Sequence, residues 1–119
     1  MNGGRRRYCL ALDLVDSPAL IAEYEEYHRQ IWPEVAAHLR EQGVAQMEIY
    51  RLGTRLFMIM AVDADFDERR FARQSLDHPV IQRWESLMWR YQVPTPWTPE
   101  GEKWTAMTRI FSLQDQSPE

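Results

Sequence analysis

The 119 residues contain one cysteine, Cys9. A lone cysteine excludes an intrachain disulfide and a cysteine metal cluster. It reads as a small buried apolar residue of a strand. Of the three histidines, His28, His38 and His78, no two stand at a short metal-ligand spacing, and no HExxH run occurs. A metal site is therefore not expected. There is no Gly-rich phosphate loop, no serine nucleophile motif and no redox motif. Any chemistry is expected to rest on proton transfer alone, without a cofactor. No signal peptide and no apolar run of bilayer-spanning length is present, so no membrane partner is expected and the cytoplasm is the expected location. Positive charge is also short: the formal net charge is −4. Basic residues cluster only at Arg5-Arg6-Arg7, which reads as a solvated tail. A nucleic-acid partner is disfavoured.

Aromatic side chains, by contrast, are plentiful: five Trp, five Tyr and four Phe. They build cores and interfaces, and their faces stack on sugar rings and other flat apolar surfaces. With 45% apolar and 27% charged residues, the composition is that of a globular chain. The length predicts one domain over residues 1–119, with an ordered core over about 8–113.

A period-two pattern at Leu10, Leu12 and Leu14 predicts a first strand over 8–14. Asp16-Ser17-Pro18 is a helix-start signal. The helix it opens carries Leu20, Ile21, Tyr24, His28, Ile31 and Trp32 on one stripe. Pro33 cannot continue that helix, so it breaks at Ile31-Trp32 and restarts, to stop at Gly43. Two strands, Val44–Leu52 and Arg55–Val62, flank a Gly53-Thr54 hairpin turn. Both faces of the second of these are apolar, so helices should cover one face and a second subunit the other. A short helix over 68–74 follows. Another opens at Asp77-His78-Pro79 and carries Val80, Ile81, Trp84, Leu87, Met88 and Tyr91. A proline-rich loop over 93–99 and a final strand over 104–113 complete the chain. The order β-α-β-β-α-β predicts an α+β, ferredoxin-like fold with a four-stranded antiparallel sheet.

Tyr24 and His28 are one helical turn apart on the apolar face. A phenol and an imidazole aimed together at the interior make a proton-transfer pair, since histidine titrates near pH 6.5. The spacing fits a packed core histidine equally well. Trp84 is either core or a ligand wall. Glu85 sits at the edge of its stripe. Trp89 falls opposite the stripe, suited to a loop or subunit contact. Met47, Met58, Met60 and Met88 look like core filler. His78 reads as a capping or surface residue. Trp97 and Trp104 either anchor the proline-rich loop or let it close one side of a cleft.

Glu23-Tyr24, His28 and Ile31-Trp32-Pro33-Glu34, with Ile49-Tyr50, Leu56-Phe57, Gln82-Arg83-Trp84 and Met88, give the chain its resemblance to the L-rhamnose mutarotase family. The resemblance spans about residues 8–113. It implies a homodimeric ferredoxin-like protein, in a dimeric α/β-barrel type assembly through the sheet face. It implies an isomerase that interconverts the α and β anomers of a 6-deoxy-L-hexose, a monosaccharide partner, and no metal or cofactor. By position, His28 would be the general acid, and Tyr24 and Trp84 would contact the sugar. Met47 and Glu85 stand at two sugar-contact positions where the family's rhamnose enzyme has Tyr and Trp. L-rhamnose and L-fucose therefore both stay open as substrates, with Glu85 able to accept a bond from a repositioned hydroxyl. Two further readings stand beside this one. One is an oxidative, monooxygenase-like enzyme of the same architecture, acting through His28 on haem or an aromatic substrate. The other is a non-catalytic small-molecule binding module.

Overall fold

The structure, a computed structural model, describes residues 6–118. Arg5 and Glu119, at the ends of the basic triplet and the polar tail, lie outside the described residues. The order is β1 (Arg6–Leu14), α1 (Pro18–Arg29), α2 (Pro33–Glu41), β2 (Val44–Leu52), β3 (Arg55–Val62), α3 (Glu68–Leu76), α4 (Pro79–Met88), β4 (Gln92–Val93) and β5 (Thr105–Ala106), then a single 3₁₀ turn over Leu113–Asp115. Arg6 and Arg7 belong to β1 rather than to a tail, and the Arg6 guanidinium donates to the Phe66 carbonyl at 2.9 Å.

The local signals act as their chemistry dictates. The Ser17 hydroxyl caps α1 by accepting from the Leu20 N–H, and Pro18 fills the first turn. Pro33 forces Trp32 into an extended conformation, φ −59° and ψ 134°, which parts α1 from α2. Asp67 caps α3, its carboxylate accepting from the N–H groups of Arg69 and Arg70. Gly43 closes α2 at φ +100°, and Gly53 turns the hairpin at φ +59°.

The sheet order is β2-β3-β1-β4, and β5 also pairs with β1. All pairings are antiparallel, giving the ferredoxin-like arrangement. The register aligns Met47 with Met60, Ile49 with Met58, Leu10 with Met58 and Leu12 with Leu56. Directly paired residues share a face, so these side chains form one apolar layer. Tyr24, Val35, Ile81, Trp84, Met88 and Tyr91 pack on it from the helices and the turn after α4. Burying chains as completely as Met88 and Tyr91 stabilises the fold by roughly 1.5–3 kcal/mol each.

The final strand differs from expectation. Only Thr105–Ala106 of 104–113 is strand, and a second short strand, Gln92–Val93, precedes the proline-rich loop. Both lie on one edge of β1: Gln92 opposite Leu14, and Ala106 opposite Leu10. The fourth strand is thus split in two by the loop. The alternation in 104–113 mimics a strand, but beyond Met107, whose N–H donates to the Cys9 carbonyl at 2.8 Å, the chain leaves the edge. Ile110, Phe111 and Leu113 are exposed there. The opposite sheet face carries Cys9, Ala11, Phe57, Ile59 and Ala61, which share it by register. Cys9 is half-buried there rather than buried.

Candidate active site

The break before Pro33 leaves His28 in the last turn of α1. The His28 Nδ1 lies 2.8 Å from the Tyr24 backbone carbonyl. A carbonyl only accepts, so Nδ1 carries the proton and the lone pair of the neutral ring is on Nε2. Burial pushes the His28 pKa below its ordinary value, against a smaller upward pull from the Tyr24 carbonyl. The resting imidazole at neutral pH is therefore a neutral base.

The Tyr24 ring packs 4.2 Å from the His28 ring, centroid to centroid. Its hydroxyl is buried and accepts from the Gln92 Nε2 at 3.1 Å. Burial pushes the phenol up to about 12; the bond from Gln92 works against this, and the charge of Glu85 adds to it. Tyr24 therefore keeps its proton and is a donor at any physiological pH. The Gln92 Oε1 is buried and has no hydrogen-bond partner among the described residues.

Trp84 stands edge-on to three rings: His28 at 5.6 Å, Trp32 at 5.1 Å and Tyr27 at 6.2 Å. It serves the core and walls the histidine at once, so packing and site readings of Trp84 are not exclusive. A cleft of about 340 Å³, lined in part by His28, opens between α2 and β2. Met47, half-buried and packed against the core, also lines it, with Ile31, Leu39 and Ile49 as apolar wall and Arg40 and Gln46 as polar groups. Among the sulfur side chains, Met58, Met60 and Met88 are fully core.

Glu85 follows Trp84 on α4 and pairs with Lys103, Oε1 to Nζ 2.5 Å. Tyr24, His28 and Trp84 are thus brought into one cluster, with Met47 on the cleft side and Glu85 close enough to act electrostatically on the phenol. His38 and His78 lie apart from it. The His38 Nε2 meets the Ser75 hydroxyl at 2.8 Å, and its ring sits 5.2 Å from that of His78. His78 occupies the cap position of α4 without making a side-chain cap bond. Among the described residues, no three of His, Cys, Asp or Glu stand together as metal ligands. No described helix is long and apolar enough to cross a membrane.

The Arg55 guanidinium lies 5.2 Å over the largely exposed Trp97 ring, and Trp104 packs on both halves of the core. Trp89 makes a loop contact, receiving the Lys103 ammonium 4.9 Å from its ring centre. Gln92, Arg40, Gln46 and Lys103 escaped the sequence reading. A lone amide or ammonium has no periodicity to mark it, and each gains meaning only from a fold-made neighbour.

Comparison with known proteins gives the family and the fold. A sequence profile of L-rhamnose mutarotase matches residues 7–113. A protein of Xanthomonas campestris named L-fucose mutarotase is 47% identical over 112 residues, covering 92% of this chain and 90% of its own. An L-rhamnose mutarotase of Escherichia coli is 36% identical over 75 residues, covering 63% of this chain and 66% of its own. The crystal structure of an L-rhamnose mutarotase from Formosa agariphila superposes with a TM-score of 0.68 at 19% identity, over 91% of this chain and 98% of that one. That likeness shows the shared fold. Neither the oxidative reading nor the binding-module reading gains support from these relatives. The profile match across nearly the whole chain, and the 47% identity over 112 residues, place this chain in the L-rhamnose mutarotase family.

Proposed function

We propose that the His28 centre interconverts the α and β anomers of a 6-deoxy-L-hexose, with L-fucose the preferred sugar and L-rhamnose the alternative. Membership in a mutarotase family makes anomer exchange the reaction, and the protein an isomerase. The observation that carries the residue roles is the fixed tautomer of His28, its Nδ1 held by the Tyr24 carbonyl and its Nε2 without a hydrogen bond among the described residues.

Ring opening moves one proton from the anomeric hydroxyl to the ring oxygen. Both oxygens are bonded to the same carbon, so one nitrogen facing that carbon can serve both. The neutral Nε2 takes the hydroxyl proton, and the imidazolium so formed is the acid that protonates the ring oxygen as the C1–O5 bond breaks. The carbonyl formed at C1 turns about its bond to C2, and reclosure by the reverse steps gives the other anomer. Tyr24, a permanent donor, orients the sugar by its hydroxyl. Trp84 offers an apolar wall. Met47 and Glu85 are the positions that choose between sugars. Uncatalysed mutarotation is already fast, so positioned acid–base groups worth about 10²–10⁴-fold suffice.

The identity to the L-fucose mutarotase supports L-fucose. Saturation-transfer NMR on L-fucose and L-rhamnose tests the reading. His28→Ala should lose catalysed exchange while keeping its fold; exchange at the wild-type rate would remove His28 from the mechanism. If Glu85→Trp leaves the ratio of the two activities unchanged, Glu85 does not choose the sugar.

The same reading makes the working unit a homodimer in the cytoplasm. The sheet face of Cys9, Ala11, Phe57, Ile59 and Ala61, and the exposed apolar arm after β5, support a second copy as its cover. Sedimentation equilibrium should give twice the 14.2 kDa chain mass; a monomer at all concentrations would refute it.

A further inference from the structure

We propose that Lys103 is a positioning residue that aims the Glu85 carboxylate at a ring hydroxyl, and that this pair sets the sugar preference. The inference rests on the mutarotase reading of the site and adds to it a residue from the far end of the chain.

The loop between β4 and β5 is stitched at both ends. The Thr95 and Thr98 hydroxyls are 2.8 Å apart, and those of Thr98 and Thr105 are 2.6 Å apart. The Thr95 N–H also donates to the Thr98 hydroxyl at 3.1 Å. The Thr105 hydroxyl lies 3.3 Å from the Lys103 carbonyl. Lys103 therefore leaves a fixed stretch of backbone, directly before the packed Trp104 and the β5 pairing with β1.

Its side chain is only 12% exposed, whereas that of Glu85 is 43% exposed. Lysine is rarely held so far from water without an acceptor. Glu85 supplies that acceptor at 2.5 Å, and the face of Trp89 supplies a second, weaker attraction. The pair is asymmetric: the cation is anchored inside and the carboxylate faces out. Oε1 is spent on Lys103, while Oε2 makes no hydrogen bond among the described residues. Glu85 follows Trp84, which walls His28, and its charge acts on the buried Tyr24 phenol. One oxygen of an oriented carboxylate, one residue along α4 from the ring that stands edge-on to His28, is thus open to a ligand.

A carboxylate accepts and never donates. It rewards a sugar hydroxyl directed at it and is left unsatisfied by the epimer whose hydroxyl points away. L-fucose and L-rhamnose differ in the orientation of ring hydroxyls at carbons 2 and 4, so such a group discriminates between them. Without Lys103 the carboxylate is free to rotate into solvent, and the preference is lost while the proton-transfer pair is untouched.

The test is anomer exchange by saturation-transfer NMR on both sugars, with KM and kcat separated, and a thermal melt for each variant. Lys103→Met and Glu85→Gln should each shift the L-fucose to L-rhamnose ratio by about tenfold, mainly through KM. The double variant should fall no further than either single one, because the two act as a unit. Lys103→Arg should restore most of the preference. A wild-type ratio in folded Lys103→Met, or independent losses that add in the double variant, overturns the inference. Should Lys103→Met fail to fold, a wild-type ratio in Glu85→Gln overturns it equally. Wild-type protein that exchanges neither sugar overturns the mutarotase reading, and this inference with it.

Discussion

The Gln92 amide donates to the Tyr24 hydroxyl at 3.1 Å, while its own carbonyl oxygen is buried without a partner among the described residues. The first contact fixes where the phenol's oxygen sits and leaves its proton to point elsewhere. The second is an unmet acceptor within a few atoms of the proton-transfer pair, in a protein interior where such groups are uncommon. Gln92→Leu removes both. Exchange should fall by about tenfold or more, because Tyr24 loses its orientation. The melting midpoint should move little, by the equivalent of about 1 kcal/mol, since the unpaired carbonyl is lost with the donor. Paired NMR exchange and calorimetry check this. A large loss of stability with full activity would make Gln92 a structural residue only.

The pH profile of catalysis follows from the lowered His28 pKa. The neutral ring is the competent form, so catalysed exchange should be level above pH ~6.5 and fall on the acid side, with its midpoint below that of a free histidine. Tyr24 contributes no alkaline limb until about pH 12. Exchange rates corrected for the buffer-catalysed background measure it. Exchange that is instead highest in acid and falls as the ring loses its proton would mean that the protonated ring starts the reaction.

Stability should also depend on pH through His38. Burial and the neighbouring His78 lower its pKa, with Glu41 opposing. Between that lowered value and ~6.5 the unfolded chain binds more protons than the folded one, so stability rises with pH across this window. The contribution is fully present above pH ~6.5 and is lost as the pH falls. His28, whose pKa burial also lowers, acts in the same direction. Asp67, whose carboxyl is held low by the N–H groups of α3, acts only in stronger acid. Urea titrations at pH 5 and pH 8 should show a smaller difference for His38→Gln than for wild type.

Gly43 has φ +100°, and a Cβ there would lie 3.3 Å from the Phe66 Cα. Gly43→Ala should destabilise the chain by roughly 1–3 kcal/mol, from left-handed strain and the contact together. Its urea midpoint should fall without a change in slope.

Local signals carried most of this fold. The Ser17-Pro18 start, the Pro33 break and the Gly53-Thr54 turn each act within a few residues, and each fell where the chain chemistry placed it. The 104–113 stretch misled because alternating side chains describe a strand's faces and say nothing of whether an edge remains to pair with. Here β1 offers that edge to Thr105–Ala106 and, beyond the loop, to Gln92–Val93. The site divided in the same way. Tyr24 and His28 were legible because four residues of helix separate them. Gln92 meets Tyr24 across 68 residues, and Lys103 meets Glu85 across 18, so no local pattern foretells either.

The interrupted fourth strand separates two tasks that a continuous strand would bind together. Two short pairings, each with only two partnered positions on β1, close the sheet edge. Everything between them hangs from fixed ends and owes nothing to strand periodicity. Apart from Trp104, which packs on both halves of the core, it carries no strand register to preserve. Over evolutionary time, the support given to a scaffold group such as Glu85 becomes a question for the suspended segment, and catalysis for the scaffold beneath it.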